Sequence, residues 1–465
     1  FVENRAKEDG IDFIKLMENA GSECANIIIK EISSFPKNPK IFTIVCGNGK
    51  NGGDGFVIAR KLVKMTSQVN IILASGSAKD SDSIQMYKQL SSLPINIIKY
   101  DSEKVLAAET ILNSDVIIDA LFGTGFKGCP NIETTSLIQI VNSSRSYKFS
   151  IDIPSGVVCD TGEIPGENIN ADTTIVISAL KPAHILLPGS HACGKLIIAD
   201  IGISEMHYNG IDNGVFYTLD EVEIKNYFPK IEPFAHKGNF GHILSICGSK
   251  TMQGAAVISA KGASRSGAGL VTAAFPDCAY SAIGSKLTEQ LLLPLNSNKL
   301  GTFSISAIPK VLEAALNSNA VLVGCGIGIN SDTKKLVKEI IKNINSPIII
   351  DADGLNLIAD DLEVLKYAND SVIITPHPGE MSRLTGLSIS EIQLNRLEIA
   401  KNTADKLNVI VVLKGANTVV AQPNEEFVYV NPTGNAGMAK GGSGDFLAGI
   451  IASFVAQGLS AGDAA

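Results

Sequence analysis

The chain has 465 residues, 45% of them hydrophobic and 18% charged, with a formal net charge of -8 at pH 7. This length exceeds the roughly 250 to 300 residues at which a single core stops growing, so two domains are expected. The acidic balance excludes nucleic-acid binding through bulk electrostatics, and no apolar run approaches the about 18 residues of a membrane-spanning helix.

The chain opens in a helical pattern, ENRAKEDGIDFIKLMENAG, and stops in another, GLSAGDAA, so neither end reads as complete and the C-terminus is taken as truncated. From residue 41, short β-branched runs alternate with amphipathic stretches: IFTIV, VNIILA, INIIKY, SDVIIDALFG, KFSIDIPSG, TTIVISAL and KLIIADIG. Apolar runs of this kind separated by helical patterns predict a parallel sheet covered on both faces, a doubly wound α/β domain ending near residue 204. Residues 205–235 break the alternation with polar, Gly- and Pro-containing sequence and read as the linker, placing domains at 1–215 and 216–465. A second α/β series follows, from GHILSICG through LVTAAFP, AVLVGCGIG, PIIIDADGLN, SVIITPHPGE and LNVIVVLKG to an apolar helix, GDFLAGIIASFVAQ.

Eight cysteines (Cys24, Cys46, Cys129, Cys159, Cys193, Cys247, Cys278, Cys325) are scattered with no C-x-x-C, the pattern of reduced core thiols in a cytoplasmic protein. The six histidines show no zinc spacing.

In CGNGKNGGDGF, Gly47, Gly49 and Gly52 match the G-x-G-x-x-G spacing of a dinucleotide-binding turn. The acid that would bind a ribose at the end of the second strand is missing, because that strand runs into ILASGSAK. What remains is a phosphate-binding turn and a helix start carrying Asn51 and Asp54, the latter also readable as a helix cap. Asp119, Asp152 and Ser155 stand at two later strand ends, where ligands of open parallel sheets bind. GSHACGKL departs from the P-loop pattern at Leu196 and reads as a turn.

GNGKNGGDGFVIARKL, DALFGTGFKG and SIDIPSG together resemble the N-terminal epimerase domain of the NAD(P)H-hydrate repair enzymes. The resemblance implies a Rossmann-like domain with a potassium ion on Asn51, Asp119 and Ser155. It implies substrate contacts from Lys50, Asn51, Gly52, Gly53 and Asp54, from Gly123, Thr124, Gly125, Phe126, Lys127, Gly128 and Cys129, and from Asp152. Lys50 departs from the family, which usually has Asn there. Asp152 is the candidate acid/base group for inverting a hydrate hydroxyl. Lys127 and Lys181 are secondary candidates, with solvated surface lysine as the alternative.

In NAGMAKGGSGDFLAGI, Gly442 and Gly444 allow backbone amides to approach an anion, and Asp445 stands where a helix dipole meets a transferring phosphate. The plain alternative for Asp445 is an N-cap. This stretch resembles the anion hole of the ribokinase-like fold. HKGNFGHILSICGS, GAAVISAKGASRSGAGLVT, DADGLN, TPHPGE and VVLKGANTVV resemble, in order, its NAD(P)H-hydrate dehydratase branch. That resemblance implies a nucleotide site at Lys414, Gly415, Ala416, Asn417, Thr418 and Gly444. It implies a hydrated-substrate site at Ala256, Gly326, His377 and Asp445.

The fused arrangement implies ADP as the co-substrate, with Mg2+ accompanying the nucleotide; the resemblance implies NADHX and NADPHX as the other ligands, and a homo-oligomer in the cytoplasm is expected. The competing readings are a ribokinase-like vitamin or sugar kinase with an accessory nucleotide-binding domain, and a non-catalytic nucleotide-sensing or protein-binding role, especially for the first domain.

Overall fold

A computed structural model describes residues 2–64, 68–76, 78–208, 216–219, 221–228, 230–368 and 370–465. The chain forms two compact units, Phe1–Gly210 and Ile211–Ala465. The sequence boundary at 215/216 adjoins residues 209–215, which lie outside the described residues, as does Phe1.

Among the described residues the first unit holds seven parallel strands: β1 (Ile41–Cys46), β2 (Gln68–Leu73), β3 (Ile95–Lys99), β4 (Val116–Ala120), β5 (Tyr147–Ile151), β6 (Thr173–Ile177) and β7 (Lys195–Ala199). Their order is β3-β2-β1-β4-β5-β6-β7. Side chains of successive strand residues point to opposite faces, and both faces here are covered. Ile44 and Ile118 pack with Ile28 of the helix Phe13–Ile32 and Phe56 of the helix Lys50–Leu62. The next residue on one strand, Val45, and the preceding one on the other, Ile117, pack with Leu137 and Val141 of the helix Ile132–Ser143. The P-loop-like stretch is a single helical turn, Gly189–Ala192, which runs through left-handed Gly194 into β7.

The second unit contains β8 (Phe216–Tyr217), β9 (His242–Ile246), β10 (Leu270–Pro276), β11 (Leu291–Leu295), β12 (Ala320–Val323), β13 (Ile348–Ile350), β14 (Val372–Ile374), β15 (Ile410–Leu413), β16 (Thr418–Ala421) and β17 (Val428–Asn431). The order is β11-β10-β9-β12-β13-β14-β15-β16-β17-β8. The ladder is parallel from β11 to β15, as the alternation of runs and helices predicts. β16 then folds back on β15, and β17 on β16, as antiparallel pairs. The alternation does not reveal this extension, because short strands joined by tight turns carry no intervening helical pattern.

The helices Gln253–Arg265 and Ser443–Ala456 pack in direct backbone contact. A Cβ on Gly449 would stand 2.2 Å from the Ser259 carbonyl oxygen, and one on Gly262 would stand 2.6 Å from that of Phe446. All eight cysteines are free thiols, six of them buried. No helix among the described residues is long and apolar enough to cross a membrane.

The contact between those two helices yields a stability test. Gly449→Ala forces a methyl into backbone and is expected to cost about 1 to 3 kcal/mol in urea unfolding of the second unit. Gly254→Ala, in the first helix with nothing within 4 Å of its added Cβ, is expected to be neutral or slightly stabilising.

Candidate active sites

The strand order of the first unit reverses between β1 and β4, and the crevice at such a switch point is where an open parallel sheet binds its ligand. A cavity of about 790 Å³ lies there. Gly47 makes the turn after β1 possible, since a Cβ on it would lie 1.9 Å from the Leu121 carbonyl oxygen.

At the base of the crevice Asp119, only 1% exposed, receives four hydrogen bonds. Ser150 Oγ (2.8 Å) and the Ser155 amide (2.9 Å) donate to its Oδ2, while Ser155 Oγ (2.6 Å) and the Leu121 amide (3.2 Å) donate to its Oδ1. Burial pushes the carboxyl above its usual range, and those donors oppose the shift. Ser155 Oγ in turn accepts from the Phe122 amide at 2.9 Å. Asn51 Nδ2 donates to the carbonyls of Phe122 (2.6 Å) and Ile151 (3.2 Å), while its buried Oδ1 has no hydrogen-bond partner among the described residues.

Asp152 follows β5 in a left-handed backbone conformation, φ 66°. Its Oδ1 accepts from Lys181 Nζ at 2.5 Å and from the Ile177 amide at 3.3 Å. Lys181 Nζ also donates to the Ile177 carbonyl at 2.6 Å. Behind this pair, His184 Nδ1 accepts from the Lys181 amide (2.8 Å), so Nε2 carries the proton and donates to the Asp152 carbonyl (2.6 Å). Burial lowers the His184 pKa to about 4, leaving it a neutral brace.

Lys50, Asn51, Asp54, Gly123, Thr124, Gly125, Phe126, Lys127 and Asp152 line the cavity. Gly52 and Gly53, expected at the ligand, are packed inside the helix start instead. A Cβ on Gly52 would meet the Gly47 carbonyl oxygen at 2.1 Å, and one on Gly53 would meet Met17 Sδ at 2.6 Å. Gly128 and Cys129 are exposed and absent from the cavity wall, and the Cys129 thiol turns to the Pro165 carbonyl at 3.0 Å. Asp54 is not the helix cap, since the N-cap position is Gly49. Lys181 is not a solvated surface lysine: it is 21% exposed and paired to Asp152. Phe13, Leu16 and Met17 of the helix Phe13–Ile32, with Ser178 and Tyr208, also line the wall and escaped the sequence reading. Their apolar periodicity signals only a buried helix face.

In the second unit Asp351, 1% exposed, terminates β13. Its Oδ1 accepts from Lys414 Nζ and from Thr375 Oγ1, each at 2.7 Å, and its Oδ2 accepts from the Cys325 thiol at 3.5 Å. Burial alone would lower the Lys414 pKa, but the carboxylates of Asp351 and Glu380 outweigh it and raise it. Glu380 accepts the His377 amide at 2.8 Å, and the half-exposed imidazole caps the helix Pro378–Thr385, its Nδ1 accepting from the Gly379 amide at 3.0 Å and its Nε2 lying 3.4 Å from Glu380 Oε1.

Asp445 is the third residue of the helix Ser443–Ala456, and the N-cap is left-handed Gly442, so Asp445 does not cap the helix. Burial, with Asp351 nearby, raises its pKa. One ligand atom each from Asp445, Asp351 and Cys325 lie within 4.8 Å of one another. Gly444 sits over the same cluster, since a Cβ there would meet Lys414 Nζ at 3.3 Å. Ala256 is buried, and left-handed Gly326 packs on Met252.

Gly415, Ala416 and Asn417 form the β15–β16 connection, with left-handed φ at Gly415 and Asn417, and Thr418 opens β16. Lys414, expected at the nucleotide, instead points at Asp351. Asp351, Glu380 and Cys325 went unassigned in the sequence, although DADG at the end of an apolar run is the signal that could have flagged Asp351.

Residues 14–183 match the family described as YjeF-related protein N-terminus, and residues 243–465 match NAD(P)H-hydrate dehydratase. A curated relative in Moorella thermoacetica named "Bifunctional NAD(P)H-hydrate repair enzyme Nnr" is 36% identical over 466 residues, 98% of this chain and 86% of its own length. The chain belongs to the family of bifunctional NAD(P)H-hydrate repair enzymes. The Escherichia coli relative of the same name is 32% identical over 98% of this chain and 83% of its own length. An ADP/ATP-dependent NAD(P)H-hydrate dehydratase from Bacillus subtilis, crystallised with ATP/Mg2+, superposes with a TM-score of 0.43 at 29% identity, over 53% of this chain and 83% of that one. In this repair-enzyme chain the two matched regions carry the Asp152 and Asp445 sites respectively.

Two outcomes follow from the charges. His184 has a folded pKa of about 4 against an ordinary 6.5, so the stability tied to its neutral form is complete above pH 6.5 and lost as pH falls toward 4. The loss amounts to about 3 kcal/mol in chemical denaturation of the first unit, and His184→Gln is expected to flatten that dependence. Lys414→Met strands the buried Asp351 carboxylate and is expected to cost the second unit about 3 to 5 kcal/mol, with part regained in Lys414→Met/Asp351→Asn.

Proposed function

We propose that the chain repairs hydrated nicotinamide dinucleotides in two steps, one in each unit. The first site interconverts the R and S forms of NADHX and NADPHX. The second dehydrates the S form to NADH or NADPH, consuming ADP and releasing AMP and phosphate. The observation that carries this reading is that one chain holds two separate acid sites. A lysine-paired Asp152 borders a cavity in one unit, and Asp445 stands beside Gly444 at a helix start in the other.

In the first site the hydrate's hydroxyl is on a carbon bonded to the ring nitrogen. Inversion needs the C6–O bond to break with help from the nitrogen lone pair, and water to return on the other face. Asp152, paired with Lys181, is placed to exchange protons with that water. A potassium ion fits the base of this site, because buried Asn51 Oδ1 is an acceptor without a partner among the described residues and two carbonyls lie against the same amide. Asn51, Asp119 and Ser155 would hold it, and its charge would offset the buried Asp119 carboxylate.

In the second site hydroxide is a poor leaving group, so the C6 hydroxyl is first phosphorylated. Asp445, with its pKa raised, accepts the hydroxyl proton as the phosphoryl group arrives, and the helix amides near Gly444 receive phosphate charge. Phosphate then leaves C6 as the ring nitrogen pushes, and loss of a C5 proton restores the double bond. Mg2+ would be bound mostly by the nucleotide phosphates and would neutralise their charge. Residues 415–418 would border the nucleotide, with Lys414 behind them held on Asp351, while Ala256, Gly326 and His377 would border the hydrate. Eight unpaired thiols support work in the reducing cytoplasm.

Incubation with ADP, Mg2+, K+ and mixed R and S NADHX is expected to return all of the NADH. Asp152→Ala is expected to return only the S fraction, and Asp445→Ala to return none. A stable phosphate ester in place of NADH would move the assignment to a kinase.

A further inference from the structure

Asp54 lies on the helix Lys50–Leu62, is 8% exposed, and faces the same cavity as Asp152. Its carboxyl has no hydrogen-bond partner among the described residues. Asp152 is equally buried, yet it holds the Lys181 ammonium and a backbone amide. Among the carboxyls of this cavity, Asp54 and Asp152 are therefore buried alike in unlike settings, Asp152 hydrogen-bonded to a cation and Asp54 not.

The charged and titratable groups facing Asp54 come from several elements. Glu3 belongs to the helix Val2–Glu8, Cys24 to the helix Phe13–Ile32, Lys50 to its own helix, and Asp152 with Lys181 to the far wall; Asp82 lines the same cavity. Lys50, whose charge opposes the shift, is 55% exposed, pairs with Glu3 at 3.5 Å and lies 4.8 Å from the centre of the Phe13 ring. Burial first, then Asp152 and Glu3, push the Asp54 pKa well up. Its place is also rigid. Gly21 lets the helix Phe13–Ile32 press on Asp54, since a Cβ there would lie 2.9 Å from the Asp54 carbonyl oxygen and 2.4 Å from Val57 Cβ.

We propose that Asp54 is the proton donor of the first site, a neutral carboxyl that protonates the departing C6 hydroxyl while Asp152 takes the proton of the returning water. The proposal rests on the epimerase reading of this site. The C6–O bond breaks as the ring-nitrogen lone pair forms N1=C6, and the hydroxyl leaves as water with the Asp54 proton. Water then adds to the opposite face of C6, its proton passes to Asp152, and the π electrons return to N1. One water leaves, one enters and one proton moves from Asp54 to Asp152. In the reverse direction the two carboxyls exchange roles. Two carboxyls on one cavity, one buried without a partner and one paired with a cation, are the arrangement such acid/base work requires.

The test follows interconversion of purified R and S NADHX by the full chain with K+ and no ADP, so that no dehydration occurs. Asp54→Asn is expected to lose about 10²- to 10⁴-fold in kcat with KM little changed. Because the neutral acid is the active form, wild-type kcat for R to S is expected to fall as pH rises through the Asp54 pKa. Asp54→Asn is expected to lack that alkaline limb, and Asp54→Glu to recover part of the rate with the limb displaced. An Asp54→Asn protein with wild-type kcat, or with only KM raised, overturns the donor role and leaves the epimerase reading standing. A wild-type protein that does not interconvert the hydrates overturns both. If Asp54→Asn does not fold, as judged by its melting curve, the Asp54→Glu profile decides, and an alkaline limb identical to wild type overturns the donor role.

Discussion

A carboxylate taken out of water at the end of a buried parallel strand must be surrounded by donors or by a cation, and both sites are built around that requirement. In the first unit Asp119 draws donors from β5 and from the loops after β4 and β5, which ties together the walls of the crevice. In the second unit Asp351 draws Lys414 from the end of β15 and Thr375 from the end of β14. Each acid has its demand met by neighbouring strands. It therefore holds in place the loops from which the reacting side chains project.

The same economy of donors separates the roles of the remaining acids. Asp152 has a lysine and an amide bonded to it, whereas Asp54 has neither; Asp445 has the Cys325 thiol beside it, with the Asp351 carboxylate and the Lys414 ammonium nearby. Among groups of one chemical type, environment alone distributes charge and protons. The neutral His184 contributes in a different manner, since it bonds the Asp152 carbonyl and the Lys181 amide and so supports both partners of the ion pair from behind.

The parallel strands β1–β7, β9, β10 and β12–β15 were legible because each is a run of apolar, largely β-branched residues set between helical patterns. The antiparallel extension through β16 and β17 was not, since a strand that folds back shows no such spacing, and parallel β11, whose run LLLPL lacks β-branched residues, was not either. Among site residues, those in Gly-rich turns and at strand ends were visible: Asn51, Asp54, Asp119, Asp152, Ser155 and Asp445. Gly52 and Gly53 share the motif with the ligand-facing residues but point into Met17, Gly47 and Ser83. A motif gives spacing along the chain and is silent about which of its members faces a cavity.

By itself the sequence determined the two α/β units, the acid-bearing strand ends and the glycines that let backbone approach backbone, because these depend on local periodicity and on the absence of a side chain. Only the tertiary structure decided which acid meets which cation. Lys181 is 29 residues from Asp152 and Lys414 is 63 from Asp351. Those separations are bridged by strand order, and a pKa depends on distance in space.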